Sequence, residues 1–161
     1  MTKNKRIIFL FTGVLCLIII GCCVLFAEPK SKEATIKIDD IVISGEHVRV
    51  YRNDAIMPMF QVLEAYDVSV EWIDEENVSI SYNDVTLSLS LNRMELIDKR
   101  NGNDCFLPVP DGTNHYCEYL DGEIILDDET MHNILFQLGI RTEILIDYNK
   151  GEVVINRLQE E

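Results

Sequence analysis

Residues 57–72 carry a helix pattern followed at once by a strand pattern, and they read Met57-Pro58-Met59-Phe60-Gln61-Val62-Leu63-Glu64-Ala65-Tyr66-Asp67-Val68-Ser69-Val70-Glu71-Trp72. From Met59 to Tyr66, apolar side chains recur at i, i+3, i+4 and i+7, which is one face of a helix. Pro58 suits the first helical position, because the N–H that proline lacks would have no partner there. The segment therefore predicts a short helix that packs on one face, and then a strand near Trp72.

The same scheme recurs at a constant offset of 72 residues. A second apolar stripe runs from Met131 to Leu138, after the acids of residues 127–129 that suit a helix start and before Gly139, which suits a C-cap. Strand patterns follow both helices. The sequence therefore predicts an α+β fold, with a mostly antiparallel sheet and two helices from two strand-helix-strand-strand repeats, plus an N-terminal apolar helix.

Further strands are predicted outside these two copies. Alternation begins near Thr35, and a hairpin is expected at Ser44-Gly45-Glu46, because apolar alternating segments flank it on both sides. Residues 86–91 alternate leucine with a hydroxyl residue, so the leucines are expected to face a core.

The N-terminus reads as a targeting or anchoring segment. Residues 7–27 are a run of 21 residues without a charged side chain, preceded by three basic residues. As a helix this run would be about 32 Å long, which is close to the hydrocarbon thickness of a bilayer. The basic residues place the N-terminus in the cytoplasm and the rest of the chain outside. We predict a signal or anchor segment at 1–27, a linker at 28–40 and one domain at 41–157.

Three interpretations of this segment stay open. A retained single-pass anchor fits its length. A lipoprotein signal fits Ile19-Ile20-Gly21-Cys22, which resembles a bacterial lipobox and makes Cys22 a lipidation candidate. A cleaved signal peptide is the third. A buried core helix is disfavoured, because the run is apolar on every face.

Cysteine usage agrees with export. Two of the five cysteines, Cys105 and Cys117, lie beyond the apolar run. An even pair in an oxidising compartment is a disulfide candidate, and two free thiols are the alternative. A metal site that adds His115 would lack a fourth ligand.

The charge distribution limits the partners. Residues 28–161 hold all 28 acidic residues and 11 of the 14 basic residues, which gives a net charge of −17. A surface this acidic repels phosphate backbones, so nucleic acid is not an expected partner.

The sequence contains no recognisable catalytic or cofactor pattern. The histidines His47, His115 and His132 are far apart, and the spacing of a calcium-binding loop is absent. We therefore predict that the protein is not an enzyme and needs no cofactor or metal. Trp72 is expected in the core; if it were exposed, it could form a sugar-stacking platform with Tyr116 and Tyr119.

Residues 57–72 resemble the repeat of copper amine oxidase N-terminal-like domains, also called stalk domains, of exported proteins of Gram-positive bacteria. The residues that match are Pro58, Glu64, Ala65, Val70 and Trp72. The resemblance covers roughly residues 41–156, and the second copy keeps the leucine–glycine pair that ends the helix. In copper amine oxidases this module is an accessory stalk, so the resemblance implies neither copper nor oxidase activity.

Together these features predict a non-catalytic structural or binding module at the bacterial cell surface. It would be tethered to the membrane by its N-terminal segment, with residues 28–161 outside the cell. The alternative is a ligand- or glycan-sensing lipoprotein domain. A cell-wall glycan or another surface protein would then be the partner.

Overall fold

The structure is a computed structural model, and it describes residues 31–52, 54–100, 102–105 and 117–158, with the backbone alone at 103–105. The strands in this part of the chain are β1 Lys32–Ile38, β2 Ile41–Val50, β3 Ala55–Pro58, β4 Ser69–Trp72, β5 Asn77–Tyr82, β6 Val85–Ser90, β7 Glu95–Asp98, β8 Asn103–Cys105, β9 Cys117–Leu120, β10 Glu123–Asp127, β11 Thr142–Asp147 and β12 Glu152–Arg157. The helices there are α1 Met59–Glu64 and α2 Asp128–Gln137.

The predicted α+β class is wrong, because the fold is mostly β. Strands account for 55% and helices for 14% of the residues that the structure describes, and the strands form two sheets that include a curled half-barrel. The two helices do follow the two apolar stripes, but they are short, at 6 and 10 residues. Between the two copies, β6, β7 and β8 extend a second sheet and β9 joins the first, which raises the strand content.

The larger sheet has seven strands in the order β11-β12-β1-β2-β3-β10-β9. The strand β1 lies between β12, to which it is parallel, and β2, to which it is antiparallel. Residues 32–38 are therefore part of this sheet, although the sequence analysis placed them in a linker at 28–40. Their isoleucines explain the difference, since Ile36 and Ile38 are buried in the core.

The smaller sheet is an antiparallel meander of five strands in the order β4-β5-β6-β7-β8. Its central strand, β6, contains the alternating leucines, and Leu87 and Leu89 are fully buried as the alternation predicts. The intervening hydroxyl residues are less exposed than predicted, since Ser88 and Ser90 are buried too.

Both helices contribute to one hydrophobic core. The buried side chains of α1 are Met59, Val62 and Leu63, and the apolar buried side chains of α2 are Met131, Ile134 and Leu135. These pairs are 72 residues apart, so the predicted stripes do face the core. Each helix follows one strand and precedes two more, but β4 and β5 join the smaller sheet while β11 and β12 join the larger one.

The predicted signal or anchor segment at 1–27, with the lipidation candidate Cys22, lies outside the described residues. Within the part that the structure describes, neither helix has the length and apolar composition that crossing a membrane requires.

Candidate functional site

A wide bulge interrupts β2 where the sequence analysis expected a hairpin. The register of β1 with β2 passes from Glu33 opposite Arg49 directly to Thr35 opposite Ser44. Two steps along β1 therefore face five steps along β2, and the excess lifts residues 45–48 out of the ladder. The predicted hairpin at Ser44-Gly45-Glu46 is wrong, since β2 runs through it as one strand. Bulges of this kind often re-aim side chains next to functional sites.

A tight turn between β9 and β10 approaches the bulge from another part of the sheet. Asp121 and Gly122 form this two-residue connection, and both have positive φ, 53° and 89°. This backbone is that of a type I′ hairpin turn, whose twist matches the flanking strands. The turn presents the carboxylate of Asp121 to the side chain of His47, and the distance from Nε2 to Oδ2 is 3.9 Å.

Three side chains with metal-ligating atoms meet between the bulge and the turn, and we call Glu46, His47 and Asp121 the donor cluster. One ligand atom from each residue lies within 4.8 Å of the other two. The imidazole is largely covered, with its side chain 18% exposed, whereas Glu46 and Asp121 are exposed. The arrangement combines one nitrogen donor with two carboxylates that can move.

Two cavities adjoin the donor cluster and share Glu46 and His47 in their walls. The larger has a volume of about 430 Å³ and the smaller about 210 Å³. The remaining residues of the larger cavity are Ile43, Ser44, Gly45, Val48, Pro58 and Gln61. The smaller cavity has both apolar and charged walls. It is also lined by Arg49, Tyr51, Ile56, Glu118, Leu120 and Ile125.

A buried carboxylate, Glu123, lies at the start of α1 and contacts Gln61, which lines the larger cavity. Its Oε1 accepts hydrogen bonds from the backbone N–H groups of Phe60 at 2.7 Å and Ile124 at 3.1 Å. The amide of Gln61 donates to its Oε2 at 3.5 Å. Burial raises the pKa of Glu123, and the two backbone donors, Gln61 and the nearby His47 oppose that rise. Glu123 thus holds the helix start against the strand that carries the donor cluster's turn.

An aromatic cluster of Phe60, Trp72 and Tyr119 lies on the surface beside this helix start. Trp72 is the central member: its ring centroid is 6.2 Å from that of Phe60 and 5.3 Å from that of Tyr119. Both contacts are edge-to-face, at 72° and 77°, which is a favoured geometry for aromatic pairs. Because β4 and β9 belong to different sheets, the cluster connects the two sheets at the surface.

The placement of Trp72 in the core is wrong, since its side chain is 41% exposed and that of Tyr119 is 58% exposed. The reason is its position on β4, the outermost strand of the smaller sheet, where most residues remain accessible. Two of the three residues considered for a sugar-stacking platform therefore do meet at the surface. The third, Tyr116, lies outside the described residues, as does His115.

The two cysteines of the predicted disulfide lie on strands of different sheets. Cys117 is partly buried against the core, and burial raises the pKa of its thiol to about 11, with a smaller contribution from Asp127. The side chain of Cys105 lies outside the described residues. The pairing of Cys105 with Cys117 stays a prediction.

Sequence reasoning missed the donor cluster, because it treated each histidine alone. One local signal was available, since Asp121-Gly122 between alternating segments is typical of a two-residue hairpin. The turn lies beside Glu46 and His47 although these residues are about 75 positions apart in sequence. A contact over that distance cannot be predicted from a local sequence pattern. The other histidine in the described part, His132, is exposed on α2, with only a long hydrogen-bond contact of 3.5 Å to Thr142.

Comparisons of the chain with protein-family models, with curated proteins and with solved structures gave no match. The resemblance to stalk domains therefore rests on the residues quoted for it and stays a prediction.

Proposed function

We propose that this protein is a membrane-tethered, non-catalytic module outside the cell, and that its aromatic cluster binds a cell-surface glycan. The observation that carries the proposal is the exposure of Trp72 and Tyr119 in mutual contact at the surface. Large aromatic side chains that remain exposed together often mark an interaction site. The pyranose ring of a sugar has a face of C–H groups, and such a face stacks on an aromatic ring.

The cluster is held in shape before any ligand arrives. Phe60 lies at the start of α1, and its N–H donates to Glu123. Trp72 lies on β4, which pairs with β5, and Tyr119 lies on β9, which pairs with β10. Little conformational entropy is then lost on binding, which favours affinity. The neighbouring Gln61 and Glu118 border the two cavities and supply amide and carboxylate groups that could bind hydroxyls.

The charge of the domain indicates which glycan is preferred. With a net charge of −17 over residues 28–161, the surface repels polyanions such as phosphate-linked wall polymers. Uncharged glycans, such as those built from N-acetylated amino sugars, carry no such penalty. The proposed ligand is therefore a neutral stretch of wall glycan.

The location follows from the N-terminal sequence and from the resemblance to stalk domains. A basic start and a 21-residue uncharged apolar run support a tether with the domain outside the cell. Stalk domains occur on exported surface proteins, which supports the same placement. The three forms of the tether remain alternatives, and Cys22 is the attachment point in one of them.

The test uses the intrinsic fluorescence of Trp72, which is the chain's one tryptophan. The full-length chain in detergent is titrated with the tetramer of N-acetylglucosamine, and we expect a saturable change in emission. Tyr119→Ala should weaken binding at least about tenfold, which corresponds to about 1.4 kcal/mol. The matched control is Phe136→Ala, because Phe136 is also 58% exposed but lies on α2, outside the cluster.

Two results would contradict the proposal. One is an emission spectrum that does not change at millimolar tetramer. The other is equal binding by Tyr119→Ala and Phe136→Ala, which would assign any signal to a site elsewhere.

A further inference from the structure

We propose that the donor cluster, Glu46, His47 and Asp121, binds a divalent transition-metal ion, with zinc as the best match. This inference goes beyond the glycan proposal and does not depend on it. It rests on the convergence of three ligating atoms from two elements that are separate in sequence.

The donor set selects the class of ion. Imidazole nitrogen favours zinc and its neighbours in the transition series over calcium and magnesium, which prefer oxygen donors alone. Zinc sites with three protein ligands commonly combine histidine with carboxylates, and leave the fourth position to water or substrate. Glu46 and Asp121 supply the carboxylates, and His47 supplies the nitrogen.

The geometry needs only a small adjustment. At bond lengths of about 2.1 Å, the donor atoms of a tetrahedral zinc site lie roughly 3.4 Å apart. The measured 3.9 Å between His47 Nε2 and Asp121 Oδ2 is close to this, and all three donors lie within 4.8 Å. Rotation of the exposed side chains of Glu46 and Asp121 closes the remaining gap, while the largely covered imidazole stays in place.

The backbone around the cluster is an independent argument for a built site. Three excess residues in β2 direct Glu46 and His47 out of the ladder, and Asp121 holds a left-handed conformation at φ 53°. The bulge departs from a regular β ladder, and the bulge and the hairpin turn bring these side chains to the same point. Glu46 and His47 line both cavities, so the cavities leave space beside a bound ion for water or another ligand.

The experiment is a calorimetric titration of the full-length chain in detergent with zinc chloride. The five cysteines are first alkylated with iodoacetamide, because thiolates bind zinc strongly and would hide a site of imidazole and carboxylates. We expect one ion per chain in the wild type. His47→Ala should weaken zinc binding at least about tenfold.

Two further variants separate ligation from folding. Asp121→Asn keeps the hairpin turn, since asparagine accepts positive φ, but it removes a charged ligand and should also weaken binding. His132→Ala is the matched control, because His132 is a histidine on α2, outside the cluster. The zinc affinity of this variant should equal that of the wild type. Far-ultraviolet circular dichroism confirms that each variant is folded.

Cobalt gives a direct spectroscopic readout of the same site. Co²⁺ bound to nitrogen and oxygen in a four- or five-coordinate site absorbs in the visible, and this band should be lost in His47→Ala and kept in His132→Ala. The proposal is overturned if the folded His47→Ala and His132→Ala variants bind zinc equally. It is also overturned if calcium binds as tightly as zinc, or if the wild type shows no saturable site below millimolar zinc.

Discussion

The two strand-helix-strand-strand units, residues 55–82 and 123–157, share a pattern of core residues but differ in what they join. Both apolar stripes bury the same four positions, 72 residues apart, and the fourth position of each lies just beyond its helix. After α1, the strands β4 and β5 pair with each other, and β5 pairs with β6, so they begin the smaller sheet. After α2, the strands β11 and β12 pair with each other, and β12 pairs with β1, so they form one edge of the larger sheet. The apolar stripe therefore determines which face of each helix packs on the core. The sheet that the following strands join depends instead on which strand they pair with.

The start of each helix shows a second difference. The N-cap of α2 is Asp127, whose carboxylate accepts from the N–H of Thr130 at 2.7 Å. The N-cap of α1 is Pro58, which makes no such bond, and the N–H of Phe60 is bound instead by Glu123 of the second unit. Likewise, Asp128 of the second unit accepts from the N–H of Ala55 in the first, at 2.9 Å. The second unit thus supplies carboxylate acceptors for backbone donors of the first.

The largest expected effect tests what the two units share, which is the burial of both helices in one core. Leu63→Asp and Leu135→Asp each place a charge at a fully buried position, at a cost of more than about 4 kcal/mol. We expect both variants to be unfolded at 25 °C, as judged by circular dichroism and by a missing thermal transition. A variant that melts like the wild type would show that its helix does not pack in the common core.

The next effect sharpens the difference between the helix starts. Glu123→Ala leaves the N–H groups of Phe60 and Ile124 without their acceptor, which should cost about 2–4 kcal/mol. Asp127→Ala removes an ordinary N-cap and should cost about 1 kcal/mol. Urea unfolding measures both values, and Glu123→Gln is the control because its Oε1 can keep both backbone bonds. A larger loss from Asp127→Ala than from Glu123→Ala would contradict the role given to Glu123.

The smallest effect concerns the helix ends, which are alike in geometry but not in sequence. Asp67 and Gly139 occupy equivalent left-handed positions, at φ 59° and 81°. The next N–H in each unit, from Val68 or Ile140, bonds to the helical carbonyl five residues earlier, at 3.0 or 2.9 Å. This is the Schellman arrangement, in which glycine is usual.

Replacing each of these residues by alanine tests that equivalence. Gly139→Ala should cost about 1 kcal/mol, since an added Cβ meets open space and only the backbone conformation is penalised. Asp67→Ala should cost about half as much, because aspartate already carries a Cβ in that conformation. Thermal unfolding resolves the two, and an equal or larger loss at Asp67 would mean that its side chain has a further role.

Local patterns predicted the helices well and the sheets poorly. The stripes, the acidic start of α2 and the alternation of Leu87 and Leu89 depend on neighbours in sequence, and the structure confirms them. The assignment of strands to sheets depends on distant edges, so the fold class and the place of residues 32–38 were wrong. Lys32 illustrates the distance involved, since its Nζ donates to the carbonyl of Asn149, 117 residues away.

The candidate sites divide in the same way. Trp72 and Tyr119 were singled out from their residue type, but their exposure depends on β4 being an edge strand. The donor cluster depends on the bulge at residues 45–48, where a serine–glycine pair suits a hairpin and a bulge equally. The residue types in the sequence thus indicated which side chains could bind a ligand. Only the tertiary structure showed which of these side chains lie close together.

The parallel pairing of β1 with β12 determines how the domain resists a pulling force. Thr35 lies opposite Glu152 and Ile38 opposite Ile155, so both strands start at the same end. A force applied at the start of β1 and the end of β12 acts along the strands and loads their hydrogen bonds together, in shear. The hairpin of β11 and β12, pulled at its open end, would instead unzip one pair at a time. A domain held at its N-terminal side and loaded at its last strand therefore meets the force in its more resistant direction.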